Sequence, residues 1–171
     1  VAEWSKAVTD KPVKARLLGR DFVLFRDTNG AVQCLSDVCL HRGGSLAGGS
    51  TKGDNVACPY HGWQYNAEGA CVRIPQNAHS SIPTKARTIK YRCQERYGLI
   101  WVALASPIYD PPEIPELENG EWKIVNTGPF NWHSDASRQV ENFTDFGHFP
   151  WVHPGLLGDP ERPVVSDYTV E

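Results

Sequence analysis

The stretch on which the fold turns runs Cys39-Leu40-His41-Arg42-Gly43-Gly44, breaks for a spacer, and resumes Cys58-Pro59-Tyr60-His61-Gly62-Trp63. One residue separates Cys39 from His41, two separate Cys58 from His61, and sixteen lie between His41 and Cys58. Two short clusters of the same residue types, one hairpin's length apart, point to a metal site. Thiolates and imidazoles are the ligands of zinc and of iron–sulfur iron.

The spacing separates these chemistries. Structural zinc sites usually place the two Cys of a pair two to four residues apart. A Cys-x-His pair mirrored by a Cys-x-x-His pair instead suits two irons, with two Cys on one and two His on the other, the Rieske [2Fe–2S] arrangement. Gly43, Gly44 and Gly62 let the backbone turn tightly and bring amides toward the sulfides. Pro59 stiffens the second loop. A structural zinc module, and simple burial of the four side chains, are the other readings of this pattern.

Outward from the clusters the chain reads as short strands. Arg16–Gly19 leads into Asp21–Arg26; Asp27-Thr28-Asn29-Gly30 supplies an Asn-Gly turn, and Ala31–Leu35 returns. A turn at Lys52–Asn55 precedes Val56–Cys58, and Asn66–Gly69 turns Trp63–Tyr65 into Ala70–Val72. Ala86–Cys93 alternates around Ile89 and Tyr91, and Tyr97–Ala105 is a compact apolar run; both read as strands. Many short strands with glycine turns predict a small antiparallel barrel or sandwich.

Composition shifts after residue 106. Pro107, Pro111, Pro112 and Pro115 cannot continue a sheet or helix. The reading is one domain over 1–106, a Pro-rich linker over 107–121, and the start of a second domain over 122–171. In that second part Trp122–Val125 and Pro163–Val170 read as strands. Residues 134–149 read as a helix capped by Ser134 or Asp135 and ended or kinked near Phe149 by Pro150.

That helix carries a second constellation. Asn142, Asp145 and His148 recur every three residues, so they are expected on one helix face, with His153 swinging back past Pro150. Two imidazoles with a carboxylate make the facial triad for Fe(II) and O₂. The other reading of two His among Trp and Phe is packing. Trp132, Phe143, Phe146 and Trp151 could line an apolar pocket or form plain core.

The cluster residues, with Arg42-Gly43-Gly44 and Tyr60-His61-Gly62-Trp63, resemble the Rieske domain of ring-hydroxylating, Rieske non-heme iron oxygenases. Respiratory Rieske proteins carry an extra Cys in each cluster loop. This chain has Tyr60 in its second loop and no Cys near His41, which sets it apart from that branch. Residues 142–153 are similar to the oxygenases' Asn-x-x-Asp-x-x-His-x4-His motif.

The resemblance implies a mainly β Rieske domain, an antiparallel barrel or sandwich with a cluster-binding subdomain, followed by the start of an α+β catalytic domain. Cys39, His41, Cys58 and His61 would hold the [2Fe–2S] cluster, and His148 and His153 a mononuclear Fe(II). Asp145 would be the catalytic bridging residue that accepts a hydrogen bond from His61 of a neighbouring subunit. The third iron ligand is expected beyond residue 171, with Asp159 as a local substitute. The implied function is that of a terminal oxygenase component. It takes electrons from a reductase or ferredoxin, activates O₂, and hydroxylates, dihydroxylates or demethylates an organic, aromatic substrate as a homotrimer. The branch is the one similar to phthalate dioxygenase and vanillate demethylase. A Rieske ferredoxin-type electron carrier is the alternative, and residues 1–105 would suffice for it.

Composition agrees. The 171 residues carry a formal charge of −3, which argues against nucleic acid as the main partner. No apolar run reaches membrane-spanning length, and there is no Gly-rich dinucleotide fingerprint. The chain has no Met, even at position 1, and so is expected to start after its true beginning. Cys34, Cys71 and Cys93 stand singly and read as buried free thiols, which predicts a reducing, cytoplasmic setting.

Overall fold

The computed structural model describes all of residues 1–171 except Ala78, Asn126, Pro129, Asn131, Val170 and Glu171. The chain divides into two units, Val1–Lys123 and Ile124–Glu171.

The first unit is built from ten short strands: β1 (Glu3–Trp4), β2 (Val13–Leu17), β3 (Arg20–Arg26), β4 (Val32–Ser36), β5 (Ser50–Lys52), β6 (Asn55–Ala57), β7 (Gln64–Tyr65), β8 (Cys71–Arg73), β9 (Arg92–Arg96) and β10 (Leu99–Ala103). They form three antiparallel sheets, ordered β1-β10-β9, β2-β3-β4 and β5-β6-β7-β8. The Asn-Gly turn forms as read. Asp27 Oδ1 accepts the amides of Asn29 and Ala31 at 2.9 and 3.0 Å, and Gly30 takes the left-handed conformation that the turn requires.

β3 alternates between two cores. Val23 and Phe25 join Leu35, Leu46, Val56 and Tyr65 beneath the Cys/His loops. Phe22 and Leu24 point the other way, into a cluster with Val8, Cys34, Tyr91 and Ile100. All four β3 side chains are fully buried. A strand of period two buried on both faces therefore separates, and joins, the halves of this unit.

Two strand readings are narrowed. Ala86–Cys93 is not a continuous strand. The Ala86 amide donates to Pro83 and the Arg87 amide to Lys85, so these donors are consumed by local turns. Only isolated bridges form, at Arg87 and Lys90, and Ile89 is exposed. Around that bridge Ser36 donates to the Ile89 carbonyl at 2.8 Å and Tyr91 to that of Cys34 at 2.9 Å, which links β4 to the chain entering β9. Tyr97 and Gly98, both at positive φ, form the β9–β10 turn, so the apolar run becomes a strand only over Leu99–Ala103.

The Pro-rich stretch is strapped along the β9–β10 hairpin. Arg92 pairs with Asp110 at 3.0 Å; Arg96 reaches the Pro111 carbonyl at 3.0 Å and Glu118 at 2.7 Å; the Tyr97 hydroxyl donates to Glu118 at 2.9 Å.

The second unit holds α1 (Ala136–Thr144) and α2 (Phe149–Val152). Asp135 caps α1, accepting the Ser137 amide at 2.9 Å. The single helix over 134–149 is corrected. Asp145 is extended, at φ −92° and ψ 103°, and its carboxylate accepts the Gly147 amide at 2.8 Å, a local bond that competes with the helix. Pro150 does not end a helix but sits in the first turn of α2, where its missing N–H costs nothing. Trp122–Val125 and the described residues 163–169 are not strands, since neither finds a pairing partner among the described residues. The expected tail strand's last residue, Val170, lies outside the described residues.

Candidate metal centres

The first cluster loop leaves β4 and the second joins β6 to β7. They close alike. In the first, the Cys39 amide donates to the Gly44 carbonyl and the Gly43 amide to the Cys39 carbonyl, both at 2.8 Å. In the second, the Cys58 amide donates to the Trp63 carbonyl at 2.8 Å and the Gly62 amide to the Cys58 carbonyl at 3.0 Å. Each loop thus places a glycine four residues after its Cys, at φ +71° for Gly43 and +72° for Gly62. This conformation is cheap only for glycine. The Cys stand equivalently, whereas His61 stands one residue further along its loop than His41.

The two loops bring like to like. Cys39 and Cys58 are both buried, at 2% and 4% exposure. The His41 and His61 rings meet edge to face, with centroids 4.5 Å apart and planes inclined at 63°. The Nδ1 atoms of both rings are buried without a hydrogen-bond partner. An unpaired buried acceptor or donor costs about 1–3 kcal/mol, so two of them side by side call for a ligand. Among the described residues no three His, Cys, Asp or Glu side chains converge on one point that would hold a single ion. A buried Cys pair beside a His pair with two unpartnered Nδ1 atoms fits a two-iron cluster that Cys39, Cys58, His41 Nδ1 and His61 Nδ1 would hold.

Electrostatics act in opposite senses on the two ligand types. Burial, then the neighbouring His61 and Arg42 charges, lowers the His41 pKa, which favours the neutral, ligating imidazole. Burial raises the Cys39 thiol, with Cys58 acting in the same direction and the Tyr65 hydroxyl opposing it. A bound metal cation overrides that burial penalty and draws off the proton.

Three supporting contacts were invisible to motif reading. Trp63 stacks flat on His41, with centroids 4.7 Å apart. The fully buried Tyr65 sets its hydroxyl 3.2 Å from Cys39 Sγ while accepting the Leu40 amide at 3.1 Å. Asp37 holds the far side of the first loop. Trp63 and Tyr65 are two apart in a stretch that reads as a strand, which was the available signal, although the strand itself covers only Gln64–Tyr65.

In the second unit, His148 and His153 bracket α2 as its N-cap and C-cap, with ring centroids 5.6 Å apart. Asp145 Oδ2 lies 3.4 Å from His148 Nδ1, and Asn142 Nδ2 lies 3.5 Å from His148 Nε2. The expected cluster of Asn142, Asp145 and His148 therefore exists, but the end of α1 at Asp145 assembles it instead of a shared helix face. These residues and His153 line a cleft of about 600 Å³. Trp132 joins that lining; Phe146 packs on Phe149 and Tyr168, and Phe143 and Trp151 are exposed. Asp159 accepts the Glu161 amide at 2.9 Å and is not among the cleft residues. Cys34 and Cys71 are buried free thiols as read, and Cys93 is free and half-buried. Burial raises Cys93 to about 11, so it is unreactive.

Comparison with known proteins agrees with this geometry. The model of the Rieske [2Fe-2S] domain matches residues 1–92, and that of the vanillate O-demethylase oxygenase C-terminal domain matches residues 132–171. Methylxanthine N1-demethylase NdmA of Pseudomonas putida is 41% identical over 90% of this chain and 45% of its own length. The oxygenase component of 3-ketosteroid-9-alpha-monooxygenase from Rhodococcus rhodochrous is 34% identical over 84% of this chain and 39% of its own. The structure of NdmA with caffeine superposes with a TM-score of 0.85 at 38% identity, over 90% of this chain and 45% of that one. Dicamba monooxygenase with non-heme iron gives 0.64 at 28% identity, over 70% and 38%. The chain spans about half the length of the curated relatives it matches. The Rieske [2Fe-2S] domain over residues 1–92, followed by the start of a vanillate O-demethylase-type domain, places this chain in the family of Rieske non-heme iron oxygenase components.

Proposed function

We propose that this chain is the electron-receiving part of a terminal oxygenase that hydroxylates or demethylates an organic, aromatic substrate with O₂. The observation that carries the reading is the pair His148 and His153 set about α2 beside Asp145, in the same chain as the cluster loops. An electron carrier of the ferredoxin type has no use for them. When bound, the cluster supplies one-electron transfer and the mononuclear iron engages O₂. The chain's residues do the rest. Cys39, Cys58 and the two Nδ1 atoms hold the cluster, and His148 and His153 offer two imidazoles to the iron.

Asp145 has an exposed carboxylate, with one oxygen on Gly147 and the other on His148. Its remaining lone pairs suit a hydrogen bond from the ring N–H of His61 in a second copy, fixing that ring's tautomer. Such head-to-tail use of two different surfaces closes into a ring, here a homotrimer. A reductase or ferredoxin donates the electrons. Among the described residues no helix is long and apolar enough to cross a membrane, and the free thiols fit a reducing cytoplasm.

Iron analysis of the whole protein tests the reading. About three irons per chain are expected, two in the cluster and one mononuclear. His148→Ala or His153→Ala should lower the count to about two while leaving the Rieske visible spectrum intact. A count of two in the unsubstituted protein would favour the carrier, and a colourless protein would favour zinc.

A further inference from the structure

The first cluster loop has a harder task than the second. The second spans only the gap between β6 and β7. The first must run from β4 to β5, so the chain after Gly44 has to be brought back to the sheet. Asp37 does this. Its side chain is 1% exposed, accepts the Ser45 hydroxyl at 2.7 Å on one oxygen and the Ala47 amide at 2.7 Å on the other, and has Lys14 Nζ at 3.6 Å. Thr88, also buried, anchors the same segment by donating to the Val38 carbonyl at 3.2 Å.

A buried carboxylate is a costly choice for a staple. An asparagine would meet the same two partners, its oxygen accepting the Ala47 amide and its amide donating to the Ser45 hydroxyl. What only aspartate adds is charge, two residues before the ligand Cys39, and only partly offset by Lys14, which is half-exposed. Reduction adds one electron to the cluster. A fixed negative charge nearby opposes that addition, and a fixed positive charge favours it.

We propose that Asp37 is a positioning residue with two separable effects: its hydrogen bonds shape the loop bearing Cys39 and His41, and its charge, tempered by Lys14, holds the cluster's reduction potential down. The inference rests on the [2Fe–2S] reading of the loops. A Rieske visible spectrum in the unsubstituted protein establishes that reading independently, and its absence would overturn the reading itself.

The test is a spectroelectrochemical titration of the whole oxygenase, with the electrode supplying one electron per cluster. Asp37→Asn keeps the staple and removes the charge. It should retain the cluster spectrum and shift the reduction equilibrium about tenfold toward the reduced form, about 59 mV upward for a one-electron couple. Lys14→Gln should shift it the opposite way. Asp37→Ala, which removes the staple as well, should also speed cluster loss to a chelator. A potential unchanged in Asp37→Asn, with the cluster retained, would overturn the proposal. If Asp37→Asn fails to hold its cluster, Lys14→Gln decides: no fall in potential would overturn it.

Discussion

The His41 ring lies parallel to the indole of Trp63, with planes 1° apart and centroids separated by 4.7 Å. The stack fixes the plane of an imidazole whose Nδ1 is buried and unpaired, so the nitrogen is aimed before any metal arrives. An aromatic pair contributes about 0.5–1.5 kcal/mol beyond its area. Trp63→Leu keeps apolar bulk and the backbone bond from Cys58 but removes the stack. Cluster absorbance should then decay about three- to tenfold faster in the presence of a chelator. An unchanged decay would mean the indole is only filler.

Tyr65 makes a different contribution. Because its oxygen accepts the Leu40 amide, its proton is free for Cys39 Sγ, and a metal-bound thiolate can only accept. Hydrogen bonds to a cluster sulfur stabilise the more electron-rich, reduced state. Tyr65→Phe should lower the potential by something of the order of 59 mV, a tenfold change in equilibrium. The cost in stability should be about 1 kcal/mol. A potential that stays in place would show that the hydroxyl serves the backbone alone.

The two loop glycines separate strain from crowding. A side chain at Gly43 meets nothing within 4 Å, whereas one at Gly62 meets Pro75 Cγ at 3.2 Å. Both positions require the left-handed region, which costs a non-glycine residue about 1–2 kcal/mol. Gly43→Ala should lose about that much stability and still bind its cluster. Gly62→Ala should lose more and bind less, as measured by melting temperature and iron content. Equal losses would rule out the contribution of Pro75.

Away from the cluster, Arg26 ties the first turn of the chain to β9. It reaches the Val8 and Ser5 carbonyls at 2.7 and 3.0 Å and pairs with Glu95 at 2.9 Å, and Ser5 Oγ also bonds Glu95. The Arg26 hydrogen bond, then that of Ser5, holds Glu95 below the usual carboxylate range. A carboxylate with a lowered folded pKa stabilises above its unfolded value, near 4.5, and loses that contribution as pH falls toward the folded value. The pair is partly exposed, so about 1 kcal/mol or less is at stake. Glu95→Gln should be less stable to urea than the unsubstituted protein at pH 7, with the gap closing below pH 4.5. A gap independent of pH would assign the loss to packing.

Legibility followed how local each constraint is. Cys39, His41, Cys58 and His61 can be proposed as ligands from the sequence because spacing within a loop decides which atoms can share a cluster. The β3–β4 hairpin was readable because Asp27–Gly30 makes its own turn. Tyr65, Trp63 and Asp37 were not assigned to the cluster, since their roles exist only after loops distant in sequence are folded together. The helix over 134–149 failed at Asp145, whose bond to Gly147 outcompeted the helix, and Pro150 was read as a stop where it is a start. Trp122–Val125 and Pro163–Val170 carry strand-like composition, but a strand is a property of a pair, and the described residues supply no partner.

β3 sends Val23 and Phe25 beneath the metal loops and Phe22 and Leu24 to the opposite core. Inserting or deleting one residue ahead of Phe22 would exchange the two sets wholesale, presenting each cavity with side chains shaped for the other. The iron–sulfur pocket thus inherits its dimensions from a frame shared with a region that never touches metal. Mutations buried in that remote half are a route by which redox behaviour changes without any alteration among the ligands.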